Sequence, residues 1–257
     1  MEKKKVFIWV ALIAIIAVII FNIFRNGKEN EDMTISQNFS NVAIESENAD
    51  IHLFPVEGGK AFIELENNHK NRYRLDVKVK GKTLEIEVER RGFKWFSFDF
   101  FSKSPQISVG LPTKEYNTIE VETDNGTINA SQLNVKQLVA QTDNGEINVE
   151  EMKSEAIVVE SDNGEILIAD SLGKINGQTN NGDVTVQIEN LNQPMDLETD
   201  NGEIVVQTKE KAKNVQFKVE TDNGDVNIYG QSTTDKVIGN GNILIKLASD
   251  NGDITVE

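Results

Sequence analysis

The 257-residue chain contains no cysteine, only two histidines and only four prolines. Without a thiol there is no disulfide, no thiolate zinc site, no cysteine nucleophile and no cysteine-linked lipid. His52 and His69 are too few and too far apart in sequence to build a histidine-based metal cluster. No G-x-S-x-G, P-loop, G-x-G-x-x-G or H-E-x-x-H signature occurs. Basic residues are also scarce, 26 against 42 acidic ones for a net charge of -16. A surface this acidic repels phosphate backbones, so nucleic acid is not an expected partner.

The first feature present is a long apolar run. Residues 6–24 contain one strongly polar side chain, Asn22. As a helix these 19 residues reach roughly 28 Å, close to a bilayer's hydrocarbon core of ~30 Å. Lys3, Lys4 and Lys5 precede the run, and Glu29, Glu31 and Asp32 follow it. The positive-inside rule then gives a cytoplasmic stub at 1–5, a single-pass anchor at 6–24 and an exported remainder. A core helix would not be apolar on every face. A cleaved signal peptide needs a shorter run and an A-x-A-like site, which "FNIFRNG" does not offer. Polar residues 26–37 read as a linker.

The second feature is a repeat. Seven copies of [TS]-[DN]-N-G begin at Thr123, Thr142, Ser161, Thr179, Thr199, Thr221 and Ser249. Apolar residues stand four and two places before each Thr or Ser, as in Ile157 and Val159, and two and four places after each Gly, as in Ile166 and Ile168. This period-two alternation predicts two half-buried strands per repeat, joined at Asn-Gly. The predicted turn residues are Asn125 and Gly126, Asn144 and Gly145, Asn163 and Gly164, Asn181 and Gly182, Asn201 and Gly202, Asn223 and Gly224, and Asn251 and Gly252.

A unit of about 20 residues cannot bury its apolar face alone and must stack on its neighbours. Hairpins and a β-solenoid both satisfy this. Hairpins would set Asp143 opposite Glu146, Asp162 opposite Glu165 and Asp200 opposite Glu203, at a cost of about 0.2–1 kcal/mol for each like-charged pair. The charges therefore favour an all-β, parallel solenoid with Asn-Gly at a corner. There the pair suits a positive φ, and stacked Asn and Thr or Ser side chains can form amide and hydroxyl ladders.

The carboxylates flanking each turn then form two columns, with neighbours about 4.8 Å apart. At that spacing they repel by roughly 0.9 kcal/mol even at the dielectric of bulk water. Each Asp before the turn can accept hydrogen bonds from backbone N–H groups of its own turn, leaving the second column uncompensated. Alternatively, carboxylates of adjacent coils can hold calcium weakly, the candidates being Asp143, Glu146, Asp162, Glu165, Asp200 and Glu203. Diffuse counter-ion binding is the simpler expectation, and no other cofactor is implied.

Residues 38–117 form a membrane-proximal β region with net charge -2 over 27–117, whereas 118–257 carry -17. Within the first region, "VAIESENADIHLFP" reads as one degenerate coil with Asn48-Ala49-Asp50 at its corner. "YRLDVKVKGKTLEIEVERR" reads as two strands joined near Gly81. The stretch "FKWFSFDFF" alternates too densely for one strand to bury all its rings. Arg90, Arg91, Lys94, Trp95, Phe96 and Phe98 are therefore the candidate contacts with a membrane surface or a protein partner.

The lysine cluster with its single span, followed by "SPQISVGLPTKEYNTIEVETDNGTINA" and tandem "TDNGEI" copies, resembles the bacterial putative-adhesin β-strand-repeat family. Membrane-anchored proteins of cell-envelope-stress operons are of this kind. The resemblance covers most of residues 40–257. It implies a right-handed β-solenoid exposed outside the cell and an adhesin-like or stress-associated role. It carries over no catalytic residue. The expected partners are the membrane itself and an envelope protein or cell-wall polymer. The rival reading is a β-helix enzyme acting on wall or extracellular polysaccharide. Against it, the carboxylates recur in every coil, whereas an active site would single one out.

Overall fold

The computed structural model describes residues 31–68, 72–91 and 104–257. All regular structure among them is β, in two 11-stranded sheets. The predicted anchor at 6–24, His69, and Lys94, Trp95, Phe96 and Phe98 lie outside the described residues.

The N-terminal portion supplies β1 (Glu31–Ile35), β2 (Asn41–Ser46), β3 (Asp50–Val56), β4 (Ala61–Glu66), β5 (Tyr73–Lys80), β6 (Thr83–Arg90) and β7 (Gln106–Pro112). Regular coils follow, each with one strand before and one after its Asn-Gly corner. These are β8 (Glu115–Thr123) with β9 (Ile128–Ser131), β10 (Asn134–Thr142) with β11 (Ile147–Glu150), and β12 (Lys153–Asn163) with β13 (Ile166–Ala169). Next come β14 (Leu172–Asn181) with β15 (Val184–Ile188), and β16 (Met195–Asn201) with β17 (Ile204–Thr208). The last are β18 (Val215–Asn223) with β19 (Val226–Ile228), then β20 (Asp235–Ile238), and finally β21 (Ile243–Asn251) with β22 (Ile254–Val256).

Strands before the corners pair in parallel in one sheet, and strands after them pair in parallel in the other. Asp143 and Glu146 are therefore not cross-strand partners, and the solenoid expectation holds. The alternation read from the sequence is the burial pattern. Ile157, Val159, Ile166 and Ile168 are each at most 1% exposed, and equivalent residues stack above and below them between the sheets. Each coil closes its core only against its neighbours.

The degenerate copy takes its predicted place. Strand β2 pairs with β8, and β3 pairs with β9, so Asn48-Ala49-Asp50 heads the column of corners. Strands β5 and β6 form the expected antiparallel hairpin through Gly81. The linker reading of 26–37 needs correction, because residues 31–35 are strand β1, paired antiparallel with β4. Met33 and Ile35 pack against the core, a pattern too short to stand out from its polar surroundings.

Coil order departs from chain order at both ends. The coil formed by β2 and β3 lies between β6–β7 and β8–β9. The coil formed by β21 and β22 lies between β16–β17 and the earlier-made β18–β19. The 28-residue interval before the last TDNG-type turn therefore contains a return path. That path includes β20, which caps β18 antiparallel, and Gly239 and Gly241 at φ 64° and 65°.

Side chains favour this order. On the outer face the column runs Glu87, Glu45, Glu122, Gln141, Glu160, Gln178, Glu198, Ala248 and Glu220, with a neutral residue at every second level from Glu122 onward. Exchanging the two final coils would set Glu198 beside Glu220, a destabilising like-charge pair.

Candidate functional site

The Asn-Gly corners form one long edge. Each Asn donates Nδ2 to the Oδ1 of the Asn one coil below, beginning with Asn125 to Asn48 at 3.2 Å. The ladder continues through Asn144, Asn163, Asn181, Asn201 and Asn251 to Asn223, with distances of 2.9–3.1 Å. In most coils the amide's second hydrogen also reaches a backbone carbonyl of the coil below, as from Asn163 to Asp143 O at 3.3 Å.

The hydroxyls do something other than the expected ladder. Each Thr or Ser donates to the carbonyl of the preceding coil's corner residue, as Ser161 does to Gly145 O at 3.1 Å and Thr199 to Gly182 O at 2.9 Å. Most of these hydroxyl residues are buried, so the bond satisfies a group that water does not reach.

The corner glycines serve a different purpose from the predicted positive φ. Gly126, Gly145, Gly164, Gly202, Gly224 and Gly252 are not in the positive-φ region, and Gly182 at 159° is extended. What they lack is space. A Cβ on Gly164 would stand 1.9 Å from Gly145 O, and one on Gly202 would stand 2.0 Å from Gly182 O. The carbonyl that receives the Thr or Ser hydroxyl points at the next glycine's Cα, and only hydrogen fits between.

Two columns of carboxylates flank the ladder. Asp143, Glu146, Asp162, Glu165, Asp200 and Glu203 are all exposed. The expected bonds from own-turn N–H groups to the first column are absent, because those N–H groups bond to the neighbouring coil, as Asn163 N does to Asp143 O at 2.8 Å. Asp162 instead accepts from Asn180 Nδ2 at 3.3 Å. The second column is compensated at three of its Asp residues. Asp50, Asp183 and Asp253 accept N–H bonds from Thr127, Glu203 and Asp225 of the next coil at 2.8–3.0 Å. Among the described residues, no three His, Asp or Glu side chains converge as a metal site.

The opposite edge was not legible in the sequence. Here the chain turns from one sheet back to the other through Gln132, Glu151 and Asp170, with φ of 58°, 52° and 44°. Non-glycine residues in this conformation are strained. Each is held by its backbone N–H bonding to the next coil, at 2.7–3.0 Å. Three shallow cavities of about 370, 380 and 240 Å³ follow one another along this edge from Thr113 to Ile243. Lys114, Lys153, Lys209, Lys211 and Lys213 line them together with Glu115, Glu151, Asp170, Glu189 and Glu210, so their charges balance. Lys209 bonds to Asp170 at 2.9 Å, which raises its pKa. Lys114 lies 4.3 Å from the Phe39 ring centroid, and burial lowers its pKa.

Of the remaining predicted contacts, Arg90 and Arg91 lie exposed at the end of β6. His52 is half-buried on β3, where desolvation lowers its pKa against the opposing pull of Asp50. Among the described residues, no helix is long and apolar enough to cross a membrane.

A two-sheet solenoid stapled by an Asn ladder is a structural-repeat protein by construction. The chain belongs to the Toastrack DUF4097 family, whose model matches residues 39–174 and again 117–257. No curated protein matches it significantly. Among solved structures it is similar to a putative adhesin from Bacteroides fragilis, at 15% identity and TM-score 0.49, covering 90% of this chain and 98% of that one. A putative cell adhesion protein from Clostridium sporogenes matches at 16% identity and TM-score 0.38, covering 89% and 99%. A putative adhesin from Parabacteroides distasonis matches at 13% and 0.44, covering 89% and 97%.

Proposed function

We propose that this protein is a non-catalytic binding or scaffold protein of the bacterial cell envelope. In this reading residues 6–24 anchor it by a single pass, residues 1–5 stay in the cytoplasm, and the right-handed solenoid projects outside. The supporting observation is the uniformity of the stack. Seven successive Asn–Asn bonds repeat the same corner, so the Asn-Gly edge offers a rigid, periodic surface in which no coil is distinguished. That suits contact with an extended partner better than turnover of a single bond. Envelope stress is the first biological setting and surface adhesion the second. Arg90 and Arg91, with Lys94, Trp95, Phe96 and Phe98, provide a membrane or partner contact in the same reading.

Protease added to intact, wall-stripped cells should digest the solenoid, and purified protein should release no product from isolated wall material. Digestion only after lysis would overturn the orientation. Turnover of wall polysaccharide would overturn the non-catalytic assignment.

A further inference from the structure

The two long edges of the solenoid differ in kind. The Asn-Gly edge is acidic and its amides are consumed by the ladder. The opposite edge is electrically balanced and retains unused hydrogen-bonding groups. The side-chain amides of Asn134 and Asn192 are exposed and that of Asn190 is half-buried, and none bonds within the protein. Gln193, next to Asn192 in the chain, is buried, accepting from Gly173 N at 3.1 Å and donating to Ser171 O at 3.0 Å, which fixes the wall from which Asn190 and Asn192 project. Beside them Leu172 is 52% exposed, one of two large apolar side chains so exposed among the described residues. The cavity floor is apolar, with Pro112, Leu133 and Leu191 buried beneath the polar rim.

We propose that this trench binds one strand of an uncharged, extended, linear polysaccharide laid along the solenoid axis. The inference rests on the binding-protein reading, supplies its ligand class, and places that ligand on the edge opposite the Asn-Gly corners. Coils rise by about 4.8 Å, comparable to the advance of one pyranose ring in an extended β-linked chain. A glycan in the trench therefore meets one connection per sugar, each with its own side chains, as Glu115, Asn134, Lys153 and Leu172 stand at successive levels. Free amides match the hydroxyl and acetamido groups along a sugar's edge, and Leu172 with the apolar floor matches its C–H face. The five lysines and five carboxylates balance, so neither sign of polyelectrolyte is favoured within the trench. A polyanion would also meet the repulsion of a chain at -16, and a polycation would be drawn to the Asn-Gly edge instead.

The test is calorimetric titration of the full-length protein, in detergent, with chitohexaose and separately with polygalacturonate. Chitohexaose should bind. Asn190→Ala with Asn192→Ala should weaken it by about five-fold for each hydrogen bond lost, and Leu172→Ser should weaken it further. Lys136→Gln, exposed on β10 outside the trench, should leave it unchanged. These side chains are at the surface and unbonded, so melting curves should match wild type. Absence of chitohexaose binding, equal affinity in the trench variants, or equally tight polygalacturonate binding would each overturn the proposal. Retention on isolated cell-wall material separates the two levels. Equal retention of wild type and trench variants would sink the trench alone, whereas failure of the wild type to retain any envelope component would sink the binding reading.

Discussion

Replacing Gly164 with Ala isolates the reason for the repeated glycine. The added Cβ would stand 1.9 Å from Gly145 O, 2.5 Å from its carbonyl carbon and 3.1 Å from Ser161 Oγ. An unstrained carbon–oxygen contact needs about 3.3 Å, so the two coils must part locally by roughly 1.4 Å. Among the bonds that cross that gap are Ser161 Oγ to Gly145 O at 3.1 Å, Asn163 N to Asp143 O at 2.8 Å, and Asn163 Nδ2 to Asn144 Oδ1 at 3.1 Å. At about 1 kcal/mol each, their loss costs about 3 kcal/mol. Gly81 is the control, at φ 64° with nothing within 4 Å of its would-be Cβ. Gly81→Ala should cost about 1–2 kcal/mol, from backbone conformation alone. Asparagine separates the two causes, because it tolerates a positive φ but still carries a Cβ. Gly81→Asn should be nearly neutral, while Gly164→Asn should be as damaging as Gly164→Ala. Urea unfolding followed by circular dichroism, with hydrogen exchange at Ile166 as a local probe, measures both. A Gly164→Asn variant as mild as Gly81→Asn would refute the steric account.

Asn163→Ala removes a ladder bond above and another below, so it should cost about 1–2 kcal/mol, while Asn223→Ala at the ladder's end should cost about half as much in the same unfolding assay. For His52 the folded-state pKa lies below the ordinary 6.5, so above that value the group is neutral in both states and contributes nothing to pH dependence. As pH falls below 6.5 the unfolded chain takes up the proton first and stability drops, levelling off once the folded pKa is passed. His52→Gln should flatten that part of the stability profile relative to wild type, and an unchanged profile would refute it. Millimolar calcium should raise the melting temperature no more than sodium chloride of matched ionic strength, as diffuse counter-ions screen the acidic columns. A calcium-specific rise, lost when Glu146, Glu165 and Glu203 become Gln, would instead establish bridging between coils.

The sequence was most legible where the physics is local. Apolar alternation on both arms of each corner fixed which residues face the core, and Asn-Gly marked where the chain bends. It was less legible where the cause lies in another coil. The Asn-Gly pair invites a positive-φ explanation, but the constraint on Gly164 comes from the carbonyl of Gly145, nineteen residues earlier. Gln132 and Glu151 carry no turn signature, because hydrogen bonds to the next coil hold them left-handed against their own preference. The balanced trench they border was invisible for the same reason, since its residues come from separate connections. The order of the last two coils left one trace, the 28-residue interval, but near-identical repeats do not say which pairs with which. That choice sits in single positions such as Ala248 between Glu198 and Glu220.

The insertion of β21–β22 imposes a schedule on the chain's synthesis. Residues 215–228 leave the ribosome before the coil that will hold them to the stack exists. Among the strands, β18 pairs only with β20 and the later β21, and β19 pairs only with the later β22. Premature stacking of β18 onto β16 would bring Glu220 against Glu198, a cost of about 0.2–1 kcal/mol. In the finished fold the apolar row of Val215, Phe217 and Val219 is covered on its stack side by residues 243–256, which are made later. The late coil works as a keystone. A chain halted before residue 243 would forfeit the coil already made as well as the one still missing, and would display that row to whatever surveys unfinished proteins.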